Sequence, residues 1–272
     1  YADVAKFLLD SRGQQPGNPQ NQSHMPVVQQ EEAVGHAVRA AYLYTGMADA
    51  ALLHHDPGYL SAVDKIWASA VHRKMYLTGG VGATGQGEAF AADFDLPNDR
   101  AYCESCAGCG LSFWADRMHR IHRDAQYRDV QERVLYNNIL GAIELTGQNF
   151  YYQNPLAAEN PRYSWHNCPC CVGNIPRALL GLKDGMYSLD SAGEALYVNH
   201  FVDSVASIGN VAGVAIRIEQ ETDYPWQGEV KVVLNPERRV TFELAVRIPD
   251  RGECDLYTPT PADRRTLELR VN

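Results

Sequence analysis

Seven cysteines stand in the 272 residues, and six of them fall in two short stretches, Tyr102-Cys103-Glu104-Ser105-Cys106-Ala107-Gly108-Cys109 and Cys168-Pro169-Cys170-Cys171-Val172-Gly173-Asn174. An odd number gathered into clusters differs from a disulfide framework and points to metal binding or thiol chemistry. Adjacent Cys170 and Cys171 are poor disulfide partners, because neighbours seldom reach the required torsion, but on one turn they work well as paired ligands. Thiolates from Cys106, Cys170 and Cys171 with the carboxylate of Glu104 make a tetrahedral set suited to Zn2+. Its formal negative charge exceeds that of a divalent cation, so one thiolate is expected to be loosely held and nucleophilic. Amphipathic helices are expected from about Ala107 and about Asn174, which puts both clusters at positive helix ends that favour thiolate over thiol. Glu104 and Cys106, two residues apart, reach one ion only if the backbone between them is still a turn.

Spacing alone does not separate a catalytic zinc from a structural clip tying two helix starts, and three-thiolate sites lean structural. Cys109 reads as core, Cys103 and Cys168 as alternate ligands, and Cys254 as a buried strand residue. Among the histidines, His24 and His36 are either satisfied core residues or pocket residues. Gly35 permits close approach beside His36 and favours the pocket. His54, His55, His72, His119 and His122 lie near helix ends and are expected to be exposed.

These side chains must be positioned by a mainly helical frame. Residues 1 to about 185 repeat apolar positions at spacings of three and four, as in Val34, Val38, Ala41, Tyr42 and in Leu60, Val63, Ile66, Trp67. His55-Asp56-Pro57-Gly58-Tyr59 and Arg123-Asp124-Ala125-Gln126-Tyr127 introduce equivalent helices, each with an aspartate placed as a cap, so the unit is a repeated helical hairpin. Between the hairpins runs a long glycine-rich loop from Thr78 to Arg100, of a length that is usually functional inside a compact domain. Its Gly80-Val81-Gly82-Ala83-Thr84-Gly85 fits a dinucleotide fingerprint, but a helix rather than a strand precedes it, so the better account is a loop that carries Glu88 toward a substrate. From about Tyr187 the period changes to two, in Leu196–Val202, Val230–Leu234 and Val240–Val246, with Gly209-Asn210, Gly228 and Asn235-Pro236 as turns. That predicts a β-sandwich or part of one.

A net charge of -9 argues against a nucleic-acid partner or an anionic membrane surface. No run of eighteen apolar residues spans a membrane. The chain opens at Tyr1 inside a helical pattern and stops at Leu267-Glu268-Leu269-Arg270-Val271-Asn272 inside a strand pattern, and so reads as a fragment.

One family carries these features in this order. His24-Met25-Pro26-Val27, Gly35-His36-Ala37-Val38-Arg39-Ala40, Lys74-Met75-Tyr76-Leu77-Thr78-Gly79-Gly80, Gly87-Glu88-Ala89-Phe90 and Asp95-Leu96-Pro97-Asn98 belong to the match. Tyr102-Cys103-Glu104-Ser105-Cys106, Tyr136-Asn137, Phe150-Tyr151-Tyr152-Gln153-Asn154-Pro155-Leu156, Cys170-Cys171 and Glu221-Thr222-Asp223-Tyr224-Pro225-Trp226 complete it. The chain resembles the cysteine-dependent retaining β-L-arabinofuranosidases of glycoside hydrolase family 127. The resemblance implies a mainly α fold, a partial (α/α)6 barrel over residues 1-188 followed by a partial β-sandwich over 189-272. It implies zinc on Glu104, Cys106, Cys170 and Cys171, with Cys170 as nucleophile and Glu88 as general acid and then base. His36 and Tyr152, and with them His24, match sugar-contacting positions. Val172-Gly173 replace the Pro-Pro or Pro-Ser that commonly follows the cysteine pair, which leaves that turn less rigid. A retaining glycosidase needs a nucleophile and a proton donor on opposite sides of the anomeric carbon, and a thiolate serves if a metal keeps it ionised.

The expected partner is a carbohydrate substrate, with a homodimer left open, and ionised thiols point to a reducing cytoplasm. Family members are much longer, so the open side of the barrel is expected to expose apolar helix faces and the fragment alone to be inactive or poorly soluble unless another segment completes it. Two other readings remain: a sugar isomerase or epimerase using His24, His36 and Glu88 beside a structural zinc, and a non-enzymatic carbohydrate-binding scaffold.

Overall fold

The computed structural model describes residues 1–14, 17–249 and 268–271, so Cys254, Leu267 and Asn272 lie outside the described residues. Helix α1 spans Ala2–Asp10, α2 Ala37–His54, α3 Pro57–Arg73, α4 Ser105–His122 and α5 Ala125–Val134. A π-helical turn at Leu135–Ile139 leads into the short α6, Leu140–Ala142, and α7 (Cys170–Gly181) and α8 (Lys183–Met186) complete the helical part.

The two hairpins α2–α3 and α4–α5 are built alike. Each first helix has 18 residues and ends on a left-handed residue, His55 at φ 50° or Arg123 at φ 57°. The next residue caps the following helix: Asp56 Oδ1 accepts from the amides of Gly58 and Tyr59, and Asp124 Oδ1 from that of Gln126. The offset that separates Asp56 from Asp124 also separates Asp49 from Arg117, and these two join across the repeat at 3.0 Å. Small residues let α2 and α4 approach closely, since a Cβ on Gly110 would meet the Ala41 methyl at 2.8 Å. Larger rings fill the space behind, with Trp114 packed at 5.1 Å from Tyr44 and 4.9 Å from Trp67.

Helices α2, α4 and α7 lie side by side, with α3 and α5 flanking them, and this arrangement is part of an (α/α)6 barrel. Its edges are apolar and open. Val4, Phe7 and Leu8 of α1 are exposed, as is Leu180 of α7, and an apolar cavity of about 520 Å³ lies between α1 and α2. None of the described helices is long and apolar enough to cross a membrane.

Among the described residues two three-stranded sheets follow: β1 (Tyr187–Leu189), β2 (Ala195–Val198) and β6 (Glu243–Val246) in one, β3 (Ser204–Val211), β4 (Val214–Thr222) and β5 (Val230–Pro236) in the other. Neighbours pair antiparallel except β2 and β6, which run parallel with Ala195 opposite Glu243. Leu196, Val198, Val211, Ile216 and Ile218 form their common core.

Four expectations need correction here. Asn235-Pro236, expected as a turn, is instead the end of β5, opposite Arg217 and Ile216. Gly209-Asn210 is no turn; it lies inside β3, where a register shift between Ile208 and Val211 absorbs Asn210 at φ 61°, and the chain reverses at Ala212-Gly213. The strand from Leu196 stops at Val198, because Asn199 and His200 turn toward the helices: Asn199 Nδ2 donates to the Gly185 carbonyl at 3.0 Å, and His200 Nε2 lies 2.8 Å from Gln131 Oε1. Residues 268–271 are exposed and irregular rather than strand.

The sheets are fastened to one face of α5. Arg247 pairs with Asp129 and Glu132, and Tyr224 Oη donates to Glu132 at 2.6 Å. Arg128, almost fully buried, joins Asp116 at 2.8 Å and Gln131 at 2.7 Å. His119, expected at the surface, is instead 3% exposed, because Tyr197 of β2 lies against its ring. Burial and the nearby Arg128 push its pKa down to about 3, and burial holds His200 well below its ordinary value.

Unfolding lets both imidazoles take up a proton near their ordinary pKa of 6.5, which the folded chain resists. Protons therefore favour the unfolded state, and this stability is complete above that value and lost as pH falls below it. Urea unfolding between pH ~7.5 and ~5 is expected to show a loss of about 1 kcal/mol per pH unit from each histidine, a component that disappears when both are replaced by glutamine.

Candidate active site

Glu104 is the N-cap of α4, with non-helical φ −57° and ψ 137°, and Cys106 is the second residue of the helix. The turn between them points both side chains the same way. The segment after α6 braces this start: Ser105 N donates to the Tyr152 carbonyl at 2.9 Å, and Asn154 Nδ2 to the Cys103 carbonyl at 2.9 Å. Helices α4 and α7 begin earlier than their periodicity suggests, at Ser105 and Cys170, so Cys106, Cys170 and Cys171 sit within first helical turns. Local amide donors and the helix dipole favour negative charge there.

Packing α7 against α4 brings the four expected ligands together. Their donor atoms all lie within 4.8 Å of one another. Cys106 and Cys171 Sγ are 3.3 Å apart, Cys170 and Cys171 Sγ 4.0 Å, and Glu104 Oε1 is 3.2 Å from Cys170 Sγ. Contact with Cys171 and then burial push the Cys106 thiol up, and burial does the same to Cys170. Such thiols stay protonated unless a cation lies among them. Glu104 Oε2 is buried without a hydrogen-bond partner, which leaves it free for a positive charge. The donor set thus fits a soft, tetrahedral metal ion.

A second group touches the first through Glu104. The glycine-rich loop pairs with its neighbours on both sides: Phe90 N donates to the Gly35 carbonyl at 2.9 Å and Cys103 N to that of Gly82 at 2.8 Å. Gly82, at φ 88°, packs against the Ala37 methyl. Glu88, at φ 54°, is thereby set beside His36, whose Nε2 is 3.0 Å from Glu88 Oε2, while Tyr102 Oη donates to Glu88 Oε1 at 2.8 Å. One donor atom each from His36, Glu88 and Glu104 lies within 4.8 Å of the others.

Tyr152, 3% exposed overall, brings its Oη to 3.3 Å from Cys170 Sγ. His24 is half-buried, and the carboxylate that acts on it is Glu32, not Glu88 or Glu104. Cys103 and Cys168 stay outside the four-ligand group; Cys103 packs against Gly80, and burial pushes its thiol up to about 12. Cys109 is fully buried core.

A sequence profile of the β-L-arabinofuranosidase GH127 catalytic domain matches residues 1–184, and one of the GH127 middle domain matches 195–271. The chain belongs to glycoside hydrolase family 127. A non-reducing end β-L-arabinofuranosidase of Bifidobacterium longum subsp. longum is 31% identical over 94% of this chain and 44% of its own length. Among solved structures, a GH127 β-arabinofuranosidase superposes with TM-score 0.87 at 42% identity, over 92% of this chain and 39% of that one. A GH127 β-L-arabinofuranosidase from Geobacillus stearothermophilus T6 gives 0.87 at 37% identity, over 93% and 45%. This GH127 chain therefore spans less than half the length of the relatives it matches.

Sequence reasoning gave no role to Asn174, Tyr102 or His166. Asn174 Nδ2 donates to Cys106 Sγ at 3.0 Å, and its position one helical turn after Cys170 and Cys171 was a readable signal. Tyr102 stands two residues before Glu104 but reaches Glu88 only through the fold of the loop. His166 stacks on Tyr152 with ring centroids 4.0 Å apart and accepts the Cys168 amide at Nδ1, 3.2 Å away, and nothing in the sequence marks it.

The accessibility of the thiols orders their reactivity. Brief alkylation of the reduced, metal-free GH127 chain, read by peptide mass mapping, is expected to modify exposed Cys168 and half-buried Cys170 well before Cys103, Cys106, Cys109 and Cys171.

Proposed function

We propose that this chain carries the nucleophile and the acid/base of a retaining glycoside hydrolase that removes terminal β-L-arabinofuranosyl residues. The observation that supports this most directly is the contact, through Glu104, of a four-ligand thiolate group with the His36–Glu88 pair. A purely structural clip has no use for a partly exposed carboxylate held on both its oxygens beside the thiols. The family membership and the names of the relatives favour the same chemistry over an epimerase or a binding scaffold.

Glu104, Cys106, Cys170 and Cys171 are the residues that would hold Zn2+. When bound, the zinc keeps the thiols ionised and makes the sulfur able to leave again. Cys170 is the ligand placed to act, since it is half-buried while Cys106 and Cys171 are fully enclosed. Its sulfur attacks the anomeric carbon with the Tyr152 hydroxyl orienting it. Glu88 protonates the departing glycosidic oxygen, then takes a proton from the water that releases the sugar. Tyr102 and His36 fix the two oxygens of Glu88, and His36 is also placed to meet a sugar hydroxyl. His24 is a further proposed sugar contact.

Incubation with an epoxide or bromoacetamide analogue of arabinofuranose, followed by mass mapping, is expected to place the adduct on Cys170; an adduct confined to Glu88 would refute the thiolate mechanism. Replacing Cys106 by serine is expected to abolish stoichiometric zinc, measured by elemental analysis. Glu88→Gln is expected to lower turnover by about 10²–10⁴-fold on a sugar leaving group, and far less on an activated aryl glycoside that needs no proton. Equal losses on both would remove Glu88 from the acid role.

A further inference from the structure

Cys168 has no part in the chemistry above, yet it is the thiol nearest the outside of the site. Its Sγ lies 3.7 Å from Cys170 Sγ, in contact across the single intervening Pro169. His166 Nδ1 accepts its amide, so the backbone that carries this thiol is tied to the ring stacked on Tyr152. Cys168 is exposed and Cys170 half-buried, whereas Cys103, Cys106, Cys109 and Cys171 are buried. A small oxidant arriving from solvent therefore meets these two sulfurs first. The Cys106–Cys171 pair is closer still, at 3.3 Å, but it is enclosed and both members belong to the ligand group.

We propose that Cys168 is the resolving thiol of a reversible oxidation site at Cys170, with a hydroperoxide as the oxidant. For its effect on activity this rests on Cys170 being the nucleophile; the thiol chemistry itself does not. In the first step Cys170 sulfur attacks the terminal peroxide oxygen, the O–O bond breaks, and the other oxygen leaves with the Cys170 proton as alcohol or water. Cys170 is oxidised to the sulfenic acid and the peroxide is reduced. In the second, Cys168 sulfur attacks Cys170 sulfur, the S–S bond forms, the S–O bond breaks, and the hydroxyl departs with the Cys168 proton as water. Two thiols and one hydroperoxide give one disulfide, one alcohol and one water. The nucleophile is masked, the ligand group loses one thiolate, and a dithiol reductant restores both. Without Cys168 the sulfenic acid has no exposed partner among the described cysteines and passes to the sulfinic acid, which dithiols do not reverse.

The test uses the 272-residue chain purified under reducing conditions, treated with hydrogen peroxide, alkylated and digested with trypsin. Cys168, Cys170 and Cys171 share the peptide Tyr163–Arg177, and Cys106 lies in Ala101–Arg117. The expected product is the first peptide lighter by two hydrogens, with one cysteine alkylated, reverting with dithiothreitol. Cys168→Ser is expected to give instead a peptide heavier by two oxygens on Cys170 that does not revert, and Cys170→Ser to give no disulfide. A disulfide that survives Cys168→Ser, one that joins the two peptides, or direct over-oxidation of the unsubstituted chain would each overturn the proposal. Hydrolysis retained by Cys170→Ser would overturn the nucleophile reading separately, since the peptide masses would be unaffected by it.

Discussion

Three thiols and a carboxylate whose donor atoms lie within 4.8 Å of one another are the constraint around which the chain is organised. Ionising these thiols together is unfavourable: contact with Cys171 and burial push Cys106 up, and burial pushes Cys170 up. The fold accepts that cost at two helix starts, where unpaired amides and the helix dipole oppose it, and through Asn174, whose amide donates to Cys106. A cation among the four removes the rest. The unpaired Glu104 Oε2 belongs to the same picture, because a buried oxygen without a donor is tolerated where positive charge is to come.

The repeated hairpin explains how such a group is held. Helices α2 and α4 meet through alanine and glycine, α7 packs on α4, and the thiols at their ends are fixed by a rigid frame. Glu88 is held differently. It rides on a loop whose backbone takes left-handed conformations at Gly82, Gly87 and at Glu88 itself, a strained choice for a non-glycine residue. Cys170 is thus carried by helix and Glu88 by loop, so the sulfur is the more rigidly held of the two. The sheets add a third tie, for the polar face of α5 is satisfied by Arg247 and Tyr224 from beyond the helical part.

Much of this was legible in the residues. The two clusters named the four side chains that the fold brings together, the capping aspartates named the hairpin repeat, and the change of period near Tyr187 named the sheets. What misled was local. Gly209-Asn210 looked like a turn because glycine and asparagine both accept left-handed backbone, and a bulge uses that same property. His119 looked exposed because it ends a helix, and only the arrival of β2 buries it.

The sequence by itself determined which side chains could bind a soft metal, that helices give way to strands near Tyr187, and that one loop carries a carboxylate, because side-chain chemistry and backbone propensity are properties of neighbouring residues. Tertiary structure alone decided that Glu104 joins the thiols to the His36–Glu88 pair, that Tyr102 braces Glu88 and His166 the Tyr152 ring beside Cys170, and that Cys168 stands outside the four-residue group but against Cys170. Those are distances between segments far apart in the chain, and they are set by how helices pack on helices, which no local pattern encodes.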